Sequence, residues 1–366
     1  MKFSINASEL QTALTTVSKG AHSHSTQQIL TGIYLSASND TLTLESTDLD
    51  LSIRLNLSAL VEEEGQTVIP SKLFLDVVKS LPDSAVHIEY IEGSDTTNIL
   101  CETASFSLKT LSARDFPGFP EVAEEESISI PFASFRDMVR RVARIIPRDA
   151  IQSTIDGVWI AVDEGELKMV ATDTYRLAIT QVSVEGVKEG FKALVSAPFL
   201  QDLAGLSEAD PLIEIALAEN QVVARYGSAT FINRRIESSF IPYERYLETD
   251  YQTVVRFDTA QLKESVKRIS LLSSKIAPIR FSLNGPSQTT QLSTASQDVG
   301  TAAETIHSEI EGDDFEVGFN SAYLIDGLSS VETETVSLEL QGPGKAGILR
   351  AAPEQQYLYL VMPMRI

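Results

Sequence analysis

Two carboxylates invite a catalytic reading first. Asp48 and Asp173 each follow a threonine, in Leu44-Glu-Ser-Thr47-Asp48 and Val170-Ala-Thr172-Asp173. A pair of aspartates can work as general acid and base, or hold magnesium for the hydrolysis of a nucleic acid. An aspartate directly after an alternating strand also suits a tight turn, where its side chain accepts backbone N–H groups. The turn is the preferred reading, because no other catalytic group surrounds the pair. The sequence has no Gly-rich phosphate loop, no Gly-x-Ser-x-Gly elbow and no His-Glu-x-x-His. Its 4 histidines form no metal-ligand spacing beyond His22-x-His24, and its 1 cysteine, Cys101, excludes an intrachain disulfide and a cysteine-based zinc site. Neither a metal nor a cofactor is expected.

Binding chemistry is better represented. The segment Ser134-Phe-Arg136-Asp-Met-Val-Arg140-Arg141-Val-Ala-Arg144-Ile-Ile146 reads as a helix. At about 100° per residue, Arg136, Arg140, Arg144 and Arg141 fall on one face and Met138, Val139, Val142, Ile145 and Ile146 on the other. Arg148 follows Pro147. Lys263, Lys267 and Arg268 mark the corresponding helix further on, with Lys275 beyond it; Lys19, Lys72 and Lys79 lie on or just after helices near the N-terminus. Lys and Arg number 29 against 51 Asp and Glu, a net charge of −22. Within so acidic a chain, cations recurring on corresponding helices suit a phosphate backbone, bound through counterion release and without sequence readout. The bland alternative is a solvated helix face. The competing functions are an acidic repeat scaffold that binds peptides without DNA, and the hydrolase built on Asp48 and Asp173.

These groups are positioned by a repeat. Phe3-Ser-Ile5-Asn6, Ile128-Ser-Ile130-Pro131 and Val255-Arg-Phe257-Asp258 are alternating strands ending on a helix-start residue, spaced by about 125 residues. Asp76, Asp202 and Asp326 recur within a second helix at the same spacing. Short alternating runs such as Val86-His-Ile-Glu-Tyr and Val336-Ser-Leu-Glu-Leu mark antiparallel strands between them. The expectation is an α+β protein of three tandem modules, 1–122, 123–250 and 251–366, each with two helices against antiparallel sheets. Hydrophobic residues at 43% and charged ones at 22% fit a soluble globular chain. The start MKFSINASEL lacks a signal-peptide core, and no run approaches the roughly 18 apolar residues of a membrane span. A cytoplasmic location without membrane association is expected.

The triplication, together with Ala171-Thr-Asp-Thr-Tyr-Arg176-Leu177-Ala, Phe240-Ile-Pro242-Tyr-Glu-Arg245-Tyr-Leu247, Phe319-Asn320-Ser-Ala-Tyr323 and the C-terminal Tyr357-Leu-Tyr-Leu-Val361-Met362-Pro363-Met364-Arg365-Ile366, resembles the bacterial sliding clamp, the beta subunit of DNA polymerase III. The resemblance covers the whole chain. It implies a non-catalytic processivity factor: a head-to-tail homodimeric ring around double-stranded DNA, with Lys19, His24, Lys72, Lys79, Arg136, Arg140, Arg141, Arg144, Arg148, Lys263, Lys267 and Lys275 facing the duplex. It further implies a peptide cleft between modules two and three for the clamp loader, the polymerase alpha subunit and other motif-bearing proteins. Matching positions are Ile155, Thr172, Thr174, Tyr175, Arg176, Leu177, Pro242, Arg245, Tyr246, Leu247, Asn320, Tyr323, Val361, Met362, Pro363, Met364 and Arg365. Arg176 and Arg365 would bond peptide carbonyls or carboxylates there. The subunit interface maps onto Phe106, Leu108, Leu271 and Leu272.

Overall fold

Each of the three modules opens with the same device. A strand alternates buried and exposed residues, then hands directly to a helix (Lys2–Asn6 to α1, Ala7–Val17; Glu126–Pro131 to α3, Phe132–Val142; Thr253–Asp258 to α5, Thr259–Ser270). This is a computed structural model, and it describes all residues except 22–25, 124–125, 147–156, 185–189, 248–249, 274–277 and 297–298. Asn6 stays extended (φ −70°, ψ 139°) and accepts from the Ser8 and Glu9 amides at 2.8 and 3.4 Å. Asp258 accepts from Gln261 N at 2.7 Å. Both satisfy helix-start donors that would otherwise lack partners. Pro131 does not enter the helix as expected. It closes its strand opposite Leu212, and α3 starts one residue later. A second helix follows in each module: α2 (Ser71–Ser80), α4 (Ala197–Ala204) and α6 (Ser321–Ser329).

The architecture is α+β, with antiparallel pairing throughout the described strands. The compact units follow shared sheets and not the sequence repeat. One unit comprises Met1–Phe132 with Gly205–Arg235, the other Ala133–Ala204 with Ile236–Ile366. The first holds a 5-stranded sheet running Leu60–Glu63, Lys2–Asn6, Ala85–Tyr90, Thr96–Cys101, Ala104–Lys109. It also holds an 8-stranded sheet in which Leu51–Ser58 of module one pairs with Ala229–Arg234 of module two, Leu51 opposite Asn233 and Ile53 opposite Phe231.

The second unit repeats the joint. In its 9-stranded sheet, Arg176–Ser183 of module two pairs with Tyr357–Val361 of module three, Arg176 opposite Val361 and Ala178 opposite Tyr359. All five residues of Tyr357–Val361 are buried, because both faces of that strand are covered. Its remaining 5-stranded sheet runs Gly300–His307, Thr289–Ser296, Ile279–Asn284, Glu316–Phe319, Pro363–Met364. Phe257, Phe281 and Phe319 meet edge to face in its core, at centroid distances of 6.5 and 5.8 Å.

Candidate functional site

The Thr-Asp motif makes a turn. Asp173 Oδ1 accepts from Tyr175 N and Arg176 N, both at 3.0 Å, and Thr172 Oγ1 accepts from Thr174 N at 3.1 Å. This lets Thr174 adopt a left-handed backbone (φ 77°). Module one repeats the arrangement: Asp48 Oδ1 takes Asp50 N and Leu51 N at 3.0 and 2.8 Å, and Leu49 has φ 79°. The hydrolase reading fails here, since Asp48 caps its own turn and both Asp173 oxygens are engaged.

The turn at 172–176 lifts Tyr175 into solvent, 61% exposed, and sends Arg176 inward, 8% exposed. The Arg176 guanidinium reaches Asp173 Oδ2 (2.8 Å), Asp326 Oδ2 (2.5 Å) and Tyr359 Oη (3.4 Å), and lies 4.4 Å from the Tyr323 ring centroid. Burial opposes its charge, but Tyr359, Asp326 and Asp173 outweigh burial and raise its pKa. Arg176 is therefore a buried strut, with Nε and Nη1 committed to Asp173, Asp326 and Tyr359. Tyr359, buried under the strut, donates to Tyr323 O at 2.8 Å. Asn320 caps α6, its Oδ1 accepting from Ala322 N and Tyr323 N at 2.9 and 3.2 Å.

Several apolar side chains near this strut, and others of the predicted set, reach the surface. Met362 N donates to Tyr175 O at 2.9 Å, so the C-terminal segment continues alongside the turn. The Tyr175 and Tyr323 rings stack at 6.4 Å. Pro363 and Met364, half-buried, pair with Phe319 and Gly318. Met362 is 45% exposed, Tyr246 is 43% exposed, and Pro242, Arg245 and Arg365 are exposed. Leu177 is buried in a cluster with Val170, Tyr243 and Leu360, and Leu247 packs against it. Thr172 and Val361 are likewise buried. So the predicted set divides into exposed side chains, Tyr175, Tyr246 and Met362 among them, and buried ones such as Thr172, Leu177 and Val361. Arg245 stays local, donating to Tyr246 Oη at 2.7 Å. Ile155 lies outside the described residues.

The cationic residues divide similarly. On α3 and the turn after it, Met138, Val139, Val142, Ile145 and Ile146 are buried while Arg140 and Arg144 are exposed. Arg141 is held by Glu332 at 3.2 Å and Gln355 O at 3.5 Å, so it is a tie within the unit and not an open cation. Arg136 is half-buried. Lys263 donates to Val331 O at 2.6 Å; burial lowers its pKa, as do Lys267 and Arg144, with only Glu332 opposing them. Lys267 is exposed, with Glu264 at 2.8 Å. In the other unit, Lys72 and Lys79 project from α2 and Lys19 is half-buried. His24, Arg148 and Lys275 lie outside the described residues.

Models of the N-terminal, central and C-terminal domains of the DNA polymerase III beta subunit match residues 1–120, 129–242 and 244–365, in that order. The chain belongs to the DNA polymerase III beta-subunit family. This is a family of sliding clamps, non-catalytic processivity factors for DNA polymerase. The beta sliding clamp of Streptomyces coelicolor is 28% identical over 380 residues, spanning 100% of both chains. The crystal structure of the beta subunit from Pseudomonas aeruginosa matches with a TM-score of 0.93 at 27% identity, covering 100% of each chain. The Bacillus subtilis clamp gives 0.93 at 25% identity, covering 100% of this chain and 99% of that one. One Pseudomonas aeruginosa clamp structure is bound to griselimycin.

Proposed function

We propose that three modules, 1–122, 123–250 and 251–366, close head-to-tail with a second copy into a ring. This ring encircles duplex DNA and tethers the replicative polymerase without any catalytic activity of its own. The observation that carries the ring is the repeated joint. Leu51–Ser58 meets Ala229–Arg234, and Arg176–Ser183 meets Tyr357–Val361. One half of each kind is left over. Ala104–Lys109 ends the first sheet and Gly300–His307 ends the last. An open strand edge is a template for another chain, and head-to-tail pairing between copies removes both edges.

Phe106 supports this closure. Phe231 and Tyr359, at its place in the two formed joints, are 1% and 0% exposed, whereas Phe106 is half-buried. Leu271, 80% exposed, and Leu272 stand at the end of α5 as the complementary contact; Leu108 is already buried in its own module. The predicted native mass is twice the 40.0 kDa chain. Phe106→Asp should return it to the single-chain value by sedimentation; an unchanged dimer would move the interface elsewhere.

Within the ring, Arg140, Arg144, Lys263 and Lys267 would meet phosphates diffusely, which permits sliding. The rim of Tyr175, Tyr246, Met362 and Met364 would receive an apolar anchor from a short peptide of the polymerase alpha subunit, the clamp loader or other partners. Griselimycin on the Pseudomonas clamp is consistent with a ligand-accepting surface in the family. The working compartment would be the cytoplasm, at the replicating nucleoid.

A further inference from the structure

The two strand joints are alike, but the spaces beside them are not. At the second, the turn Ala352–Gln356 separates the strands Gly347–Ala351 and Tyr357–Val361. Its Gln355 carboxamide donates to Ser330 O at 2.5 Å and accepts from Glu332 N at 2.9 Å. Arg141 of α3 closes on Glu332 and on Gln355 O. A guanidinium, a carboxamide and a carboxylate thus occupy that space.

At the first joint the same fillers are missing. The turn between Gln221–Tyr226 and Ala229–Arg234 is only Gly227 and Ser228, since Tyr226 already pairs with Ala229. The place that Arg141 holds on α3 is taken on α1 by Thr16. What remains is a cavity of about 500 Å³, within the range of small-ligand sites. Ala13, Leu55, Leu57, Leu206 and Tyr226 give it an apolar floor. That floor is preformed. The Tyr226 ring stacks on Phe132 at 4.1 Å, and its hydroxyl takes the Ala209 and Asp210 amides at 2.8 and 3.3 Å.

The rim specifies the sign of the ligand. Ser8 donates its hydroxyl proton to Asn6 Oδ1 (2.7 Å), Thr12 to Ser8 O (2.9 Å) and Thr16 to Thr12 O (3.2 Å). Each of these hydroxyls is left with lone pairs and no proton to offer. Among the described residues, Glu9 is the only charged side chain lining the cavity. Asn56, Ser58, Ser207 and Ser228 complete the rim with groups able to donate or accept, so the carboxylate of Glu9 sets the sign and calls for a donor that carries positive charge.

We propose that this cavity is a ligand site separate from the peptide rim and the cationic face, and that it takes a small amphipathic cation. The apolar body lies on Leu55, Leu57, Leu206 and Tyr226, and an ammonium or guanidinium faces Glu9 and the threonine oxygens. The site joins α1 and Leu55–Ser58 of module one to Leu206–Ala209 and Tyr226–Ala229 of module two, so an occupant stiffens that joint. The inference does not depend on DNA or peptide binding.

The test is a calorimetric titration of the full-length protein with phenethylamine, and with phenylacetate as the ring of opposite charge, followed by a crystal soak. Phenethylamine should bind once per chain at this cavity and raise the melting temperature, and phenylacetate should not. Glu9→Gln, a substitution at an exposed position, should weaken the amine by about two- to fivefold, the range of an exposed ion pair. Thr16→Arg supplies from within the cation that α3 supplies at the other joint, and should abolish binding. Equal binding of amine and acid, density for the amine only elsewhere, or an affinity indifferent to Glu9→Gln would overturn the proposal. Failure of phenethylamine to bind at millimolar concentration would overturn it as well.

Discussion

Gly327→Ala sets two well-measured effects against each other. In a helix, alanine is favoured over glycine by about 1 kcal/mol, so local propensity predicts a more stable protein. Packing predicts the reverse. A Cβ at Gly327 would stand 2.5, 2.6 and 2.9 Å from Cδ1, Cε1 and Cγ of Tyr359. That ring cannot easily withdraw, being 0% exposed, with its hydroxyl donating to Tyr323 O at 2.8 Å and Arg176 Nη1 3.4 Å away. Overpacking of a filled core costs about 1–3 kcal/mol, and three contacts on an anchored ring place this case at the upper end. The net expectation is a loss of about 1–2 kcal/mol after subtracting the propensity gain. The disturbance should also reach Tyr323 and Arg176, and so weaken a polymerase-derived peptide. Urea unfolding followed by tryptophan fluorescence measures the first effect and peptide anisotropy the second. A variant that is more stable by about 1 kcal/mol, with unchanged peptide affinity, would refute the close seating of α6 on Tyr357–Val361.

Three further outcomes follow from the same geometry. Tyr175→Ala removes an exposed ring that stacks on Tyr323; it should cost about 1–2 kcal/mol of peptide affinity and leave the native mass unchanged, and full affinity would remove Tyr175 from the site. Reversing Arg140 and Arg144 to Glu should lower the salt dependence of DNA binding by about two phosphate contacts; an unaltered slope would place that face off the DNA. Burial, Lys267 and Arg144 hold the Lys263 pKa below its ordinary 10.5. A neighbouring phosphate favours the charged form and moves the pKa back up. DNA binding just below pH 10.5 should therefore take up protons, as read by calorimetry in buffers of different ionisation enthalpy; proton release would contradict the assignment.

Sequence periodicity was a good guide wherever the determinant is local. The arginine and apolar faces of α3 follow from helical geometry, and the Thr-Asp turn follows from side-chain hydrogen bonding within four residues. Asn320 could have been read the same way, because Asn ahead of a helix caps it; its helix-start position is the missed signal. Long-range pairing left no such mark. Arg141 looks like one more cation on an arginine face, yet its partner Glu332 lies far along the chain. Arg176 is polar and follows a turn, so nothing nearby announces that Asp326 and Tyr359 will enclose it. The C-terminal run read as one binding segment, but alternating sheet faces divide it. Val361 closes a buried strand, Met362 turns out, and Pro363–Met364 forms a new edge beside Glu316–Phe319. The strand joints were equally hidden, since neither Leu51–Ser58 nor Arg176–Ser183 carries a feature naming its partner in the next module.

Topological retention on DNA tests the central claim most directly. The protein is loaded onto a nicked circular plasmid by a clamp loader, freed of unbound protein by gel filtration, and its retention is followed before and after a single cut. The account predicts that it stays on the intact circle and leaves within minutes of linearisation by sliding off the ends. Equal loss from circle and linear DNA, or equal retention on both, would contradict a ring that holds the duplex by enclosing it.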